Sequence, residues 1–200
     1  MTTDIQSLLD FWFGDILTGA PLTAEKSRLW FGKSESVDRE MAARFSGLVE
    51  RAGKGLLDSW AKTSEGLLAL LVLLDQFPRN IYRGQPRAFA FDPLALKLAL
   101  RVVDSGLDHQ LPVLARAFVY LPLEHSESLA MQDRAVELFT RLLQEAPDQH
   151  RTACASYLDY AERHRDVIVR FGRYPHRNAI LGRVSTAAEA AFLLQPGSSF

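Results

Sequence analysis

The chain has 200 residues, 48% of them hydrophobic, and 23 basic against 24 acidic side chains leave a net charge of -1. That length and apolar content suit a single domain, residues 1–200, that buries a core without covalent staples. The charge balance gives no case for a nucleic-acid or anionic-membrane partner, and a lone cysteine, Cys154, rules out an internal disulfide and fits the reducing cytoplasm.

The N-terminus "MTTDIQSLLDFWFG" lacks the basic start of a secretory signal. Thr3 and Gln6 predict a capping box before "IQSLLDFWF", with Gly14 as the stop. A second helix is expected from about Val37 to Ala52, capped by Ser36, with Met41, Phe45, Leu48 and Val49 facing inward. Thr63 or Ser64 caps a third helix, which Pro78 is expected to end. Its apolar run, Gly66 to Leu74, is too short to span a bilayer.

In "FDPLALKLALRVVDSG", Asp92 is expected to cap, Pro93 to open and Gly106 to stop a helix. Pro112 opens another, which Pro122 should break near Tyr120. Helical spacing then runs from about Ser126 to Glu145 and from Asp148 toward Phe171, followed by Gly172. Thr186 and Glu189 form a second capping box before "AAEAAFLL". No stretch alternates like a strand, so the expected fold is all-α, with consecutive helices packed as antiparallel pairs. Leu70, Leu71, Leu74, Leu96, Leu100, Leu138, Phe139, Leu142, Tyr157 and Ile168 are the expected core.

Three segments carry more polar and aromatic groups than helix ends require. "DQFPRNIYRG" offers Asp75, Gln76, Arg79, Asn80, Tyr82 and Arg83; "LPLEHSESLAMQ" offers Glu124, His125, Ser126 and Glu127. "HRDVIVRFGRYPHRN" starts at His164 and echoes the first segment, with His176 inserted before Arg177 and Asn178. Arginine presents a planar fork of donors that matches carboxylate or phosphate. Asp75, Arg79, Asn80, Arg83, Arg173, His176, Arg177 and Asn178 are therefore candidates for an anion pocket, if the two Pro-Arg-Asn elements meet. Alternatively, the same arginines tie helix C-termini and carboxylates together.

His125, Glu127 and His164 are the candidate acid–base groups; each also has a structural reading, as a cap or a satisfied core histidine. A metal is not expected, because His125 and Glu127 at i and i+2 do not share a helix face. Without a Walker or GxGxxG motif, no cofactor is expected either. Ser126 lacks a nucleophile elbow, and Cys154 reads as a packed hydrophobe.

The blocks "LLDFWFG", "LWFG", "LLALLVLLDQFPRNIYRG", "FAFDPLAL", "LPLEHSE" and "RFGRYPHRNAILGR" resemble, in order, the signature blocks of the domain-of-unknown-function family 924 (DUF924). The resemblance implies an all-helical, tetratricopeptide-like superhelical fold and brings no established activity. Two functions follow as expectations: a cleft that binds a small anionic ligand, with catalysis a candidate role, or a protein-interaction scaffold.

Overall fold

The computed structural model describes residues 2–198, and every regular element among them is helical. Helix α1 (Thr3–Trp12) is capped one residue earlier than expected: the Thr2 hydroxyl accepts the Ile5 N–H, and Gln6 reaches forward to Asp10. Gly14, at φ 52° after the Phe13 C-cap, ends α1 as expected, and the chain continues into a 3-10 turn, Gly14–Thr18. Helix α2 (Ala24–Phe31), capped by Thr23, was hidden by its polar composition; it delivers Trp30 and Phe31. Helix α3 (Glu35–Gly53) is capped by Ser34 rather than Ser36, and buries Met41, Phe45, Val49 and Ala52.

Pro78 does not end the third expected helix. Helix α4 (Ser64–Leu71), capped by Thr63, passes through a π-turn, Val72–Gln76, into α5 (Phe77–Ile81). A proline ring ordinarily clashes with the carbonyl four residues back. Here the helix is already widened, with the Phe77 N–H bonded to the Val72 carbonyl, and Pro78 fits into the first turn that follows. The rod therefore runs on without a break.

Helix α6 (Asp92–Asp104) opens with Pro93, but Asp92 makes no capping bond, and its inward face is Ala95, Ala99 and Val102. Small residues bring α6 close to its neighbours, so the expected core residues Leu96 and Leu100 are only half-buried; the other expected core residues are buried. Helix α7 (Val113–Glu124) contains Pro122 in its last turn instead of stopping before it. Helices α8 (Leu129–Glu145) and α9 (Asp148–Phe171) follow; Ser128, not Ser126, precedes α8. Gly172 closes α9 at φ 69°, where a side chain would be strained. The Thr186–Glu189 capping box opens α10 (Ala187–Leu193).

Consecutive helices pack on one another: α6 on α7, α7 on α8, and α8 along α9, while α3 lies against α5. Edge-to-face rings tie α7 to the N-terminal segments, with Phe118 against Trp12, Phe13 and Trp30 at centroid distances of 5.9, 5.0 and 4.7 Å. A smaller cluster of Val167, Ile168 and Tyr174 seats the segment after α9. Among the described residues, no helix is long and apolar enough to cross a membrane.

Candidate functional site

The π-turn aims Asp75 and Gln76 into the protein, where they are 1% and 7% exposed. Gln76 Nε2 donates to Asp75 Oδ2 at 2.5 Å, and Arg79 donates to Asp75 Oδ1 at 3.2 Å. From the end of α7, His125 Nδ1 lies 2.7 Å from the same Oδ1. Burial alone would raise the Asp75 pKa, but the positive N–H edge of the His125 ring, the Arg79 charge and these hydrogen bonds hold it below the usual carboxylate range. An ionised carboxylate only accepts, so the hydrogen sits on His125 Nδ1 and the lone pair on Nε2. Burial, and then the Arg79 charge, lowers the His125 pKa against the pull of Asp75, leaving the imidazole neutral. Asp75 and His125 thus form an oriented dyad.

Arg79 also donates to Asp92 Oδ1 at 3.0 Å, and Arg177 reaches Asp92 Oδ2 at 3.3 Å and the His125 carbonyl at 3.0 Å. Asp92 therefore joins the two Pro-Arg-Asn elements. Arg177 lies over the rings of Phe89 and Tyr174, 4.7 and 4.6 Å from their centroids. Desolvation and the neighbouring Arg79 push its pKa down to about 10.

Glu124 is buried, and burial together with the Asp75 charge raises its pKa to about 8, so it is protonated at neutral pH. Its Oε1 lies 3.3 Å from Nδ1 of His164, which donates to the Tyr160 carbonyl at 2.8 Å. Burial lowers the His164 pKa to about 3. Glu124's own carbonyl accepts from Gln132 Nε2 at 2.6 Å and from the Tyr174 hydroxyl, which fixes the end of α7.

A cleft of about 490 Å³ opens over Arg79, Glu124, His125 and His164. Trp30 and Phe31 of α2 and Tyr157 and Tyr160 of α9 also line it. A neutral imidazole with a bare Nε2 beside a neutral carboxyl can take up and return protons. Among the described residues, no group of three or more His, Cys, Asp or Glu is placed to hold a metal ion.

The family model described as a bacterial protein of unknown function (DUF924) matches residues 8–197. The chain belongs to this family. Among solved structures, a protein of unknown function from Agrobacterium tumefaciens is 37% identical, with a TM-score of 0.79 over 95% of this chain and 96% of that one. No curated protein matches the chain.

In this DUF924 member the sequence candidates fall into separate groups. Asp75, Arg79, His125 and Arg177 share one polar network with Asp92, and the neutral pair of Glu124 and His164 lines the same cleft as Arg79 and His125. Glu127 does not line the cleft: Arg183 grips both of its oxygens, at 2.6 and 2.9 Å, and it accepts the Tyr174 N–H at 2.7 Å. Arg173 is held by Glu189, which belongs to the α10 capping box. Asn80 and Arg83 both bind Asp38, and Asn178 bonds Ser185 and Arg183. His176 stacks on Tyr174 at 5.5 Å, and burial with the Arg177 charge lowers its pKa to about 3.

The arginines therefore do not surround an open anion hole, because Asp38, Asp75, Asp92, Glu127 and Glu189 already pair them. Sequence reasoning read Asp92 as a helix cap and passed over Tyr174 and Gln132. The available signal was an aspartate before proline inside a block with two phenylalanines, "FAFDPLAL".

Proposed function

We propose that the cleft binds a small anionic molecule and transfers a proton to or from it, with His125 as base and Glu124 as acid. The observation that carries this reading is the 2.7 Å contact between His125 Nδ1 and buried Asp75 at the edge of the cleft. Asp75 fixes the tautomer and stabilises the imidazolium that forms when Nε2 takes a proton. Glu124 stays neutral until its environment changes, so it is the group able to give a proton back. Lys33, exposed at the cleft and with no ion pair among the described residues, favours an anionic ligand, while Arg79 and Arg83 are neutralised by their carboxylates. The buried thiol of Cys154 suits a reducing compartment, and we place the protein in the cytoplasm.

A second reading, a protein-interaction scaffold of tetratricopeptide-like type, draws on the exposed apolar residues Val169, Leu181, Val184 and Leu194 toward the C-terminus. The proton-transfer reading is tested by turnover of small anionic esters, amides and enolisable acids. His125→Asn is expected to lower turnover at least about a hundredfold, as loss of general acid–base catalysis does. Turnover that survives in His125→Asn, or that is missing from wild type across the panel, contradicts it.

A further inference from the structure

Part of the cleft lining is aromatic, and two of its rings are about half exposed, Tyr160 with the Arg163 guanidinium 5.0 Å from its centroid. Phe31 is 52% exposed and Tyr160 is 47% exposed, although large apolar side chains elsewhere on α2 and α9, such as Trp30 and Tyr157, are buried. Phe31 lies against Tyr157 at 6.0 Å, and Tyr157 against Phe139 at 6.4 Å, so the exposed ring continues a stack that leads inward. On α9, Tyr157, Tyr160 and His164 recur at helical spacing and all line the cleft. The aromatic wall thus ends beside the titratable groups.

The same short segment that supplies Phe31 supplies Lys33. Lys33 is exposed, lines the cleft and forms no ion pair among the described residues, unlike Arg79 and Arg83. The indole N–H of Trp30 is already used by the Trp12 carbonyl at 2.8 Å, which leaves its ring to pack and not to donate. The Tyr157 hydroxyl is buried with no hydrogen-bond partner among the described residues, a cost that a polar atom in the cleft would relieve. Among the described residues Glu124 supplies the one carboxyl lining the cleft and it is neutral, while the ionised Asp75 is buried and paired with Arg79.

We propose that the ligand of this cleft is a small anion carrying an aromatic ring, the ring between Phe31 and Tyr160 and the negative group held by Lys33. This deepens the proton-transfer reading, on which it rests, by naming the substrate class. Aromatic rings prefer offset or edge-on partners, and the exposed Phe31 and Tyr160 supply them at the opening. Lys33 supplies the charge that the internally paired arginines do not. The acid–base groups then meet the atoms carried inward from the ring.

Isothermal calorimetry with four probes tests this: 3-phenylpropanoate, propanoate, inorganic phosphate and 3-phenylpropanol. The aryl carboxylate is expected to bind saturably, at least about tenfold tighter than each of the other three. Phe31→Ala/Tyr160→Ala and, separately, Lys33→Ala are each expected to weaken it about tenfold. All three side chains are exposed, and an unchanged melting temperature verifies that each variant folds. Phosphate or propanoate binding as well as the aryl carboxylate would show that the ring is irrelevant. Equal binding of the alcohol would show that the charge is irrelevant. Either result, unchanged binding in the rim variants, or no binding by wild type overturns the proposal. Calorimetry needs no turnover, so a missing reaction would sink the proton-transfer reading and leave this result standing.

Discussion

The two Pro-Arg-Asn segments look alike in sequence and behave differently in the fold. "DQFPRN" stays helical: the π-turn absorbs one extra residue ahead of Pro78 and rotates Asp75 into the interior. "GRYPHRN" leaves its helix at Gly172, takes one short 3-10 turn over Pro175–Arg177, and crosses back to the end of α7. The first segment forms a wall of the cleft. The second is a brace behind it, with Tyr174 and Arg177 holding the Glu124 and His125 carbonyls. What differs is the residue ahead of the motif, since glycine in the left-handed region turns the chain out while a π-turn keeps it in.

If that division is right, Asp75→Ala is the most damaging change in either segment. It would leave Arg79 half-paired and His125 unoriented, and breaking a buried ion pair costs about 3–5 kcal/mol. Urea unfolding measures it, and a loss below about 1 kcal/mol, in the range of exposed pairs, would place Asp75 outside the network. Arg177→Ala should cost less, about 1.5–3 kcal/mol, because Asp92 keeps Arg79 and only the brace is cut. A larger loss for Arg177 than for Asp75 would reverse the roles of wall and brace.

The pH dependence sharpens the same distinction. Glu124 titrates near 8 when folded and near its usual value of 4.5 when unfolded, so between these the folded state binds the extra proton. Its contribution to stability is full below pH 4.5 and is lost as pH rises toward 8. His164 has the opposite sign: held neutral to about 3, it costs stability as pH falls from 6.5. Glu124→Gln should therefore flatten the decline between pH 5 and 8 by at least about 1 kcal/mol, the worth of one pKa unit. A slope that does not change in the variant would mean Glu124 titrates normally. The smallest effect belongs to Arg83, paired with Asp38 near the surface: Arg83→Ala should cost under about 1 kcal/mol in the same urea assay. A loss as large as that of Asp75 would extend the buried wall out to the rim.

Much of the helical plan was legible because apolar spacing and capping residues are local signals. The capping box at Thr186 and Glu189 and the span Asp148–Phe171 fall where the sequence puts them. Pro78 and Pro122 misled because proline's effect depends on the turn around it, and a π-turn is invisible to a fixed helical period. Arginine-rich segments announced a polar cluster but not its pairing, which is set by contacts distant in sequence such as Arg177 with Asp92. Glu124 was visible beside His125; its raised pKa was not, since burial and the nearby Asp75 exist only in the fold. Residue type does not separate Phe31 and Tyr160 from the buried Trp12; only their exposure in the fold does.

Burial and the Arg79 charge keep His125 neutral, while Asp75 holds its hydrogen on Nδ1. Nitrogen-15 NMR of the labelled imidazole, followed through a pH titration, reads both features on the intact protein. The expected spectrum shows the Nδ1–H tautomer at neutral pH and a His125 pKa below the ordinary histidine value of 6.5, with the tautomer preference lost in Asp75→Asn. An Nε2–H tautomer, or an imidazolium persisting above pH 7, would contradict it.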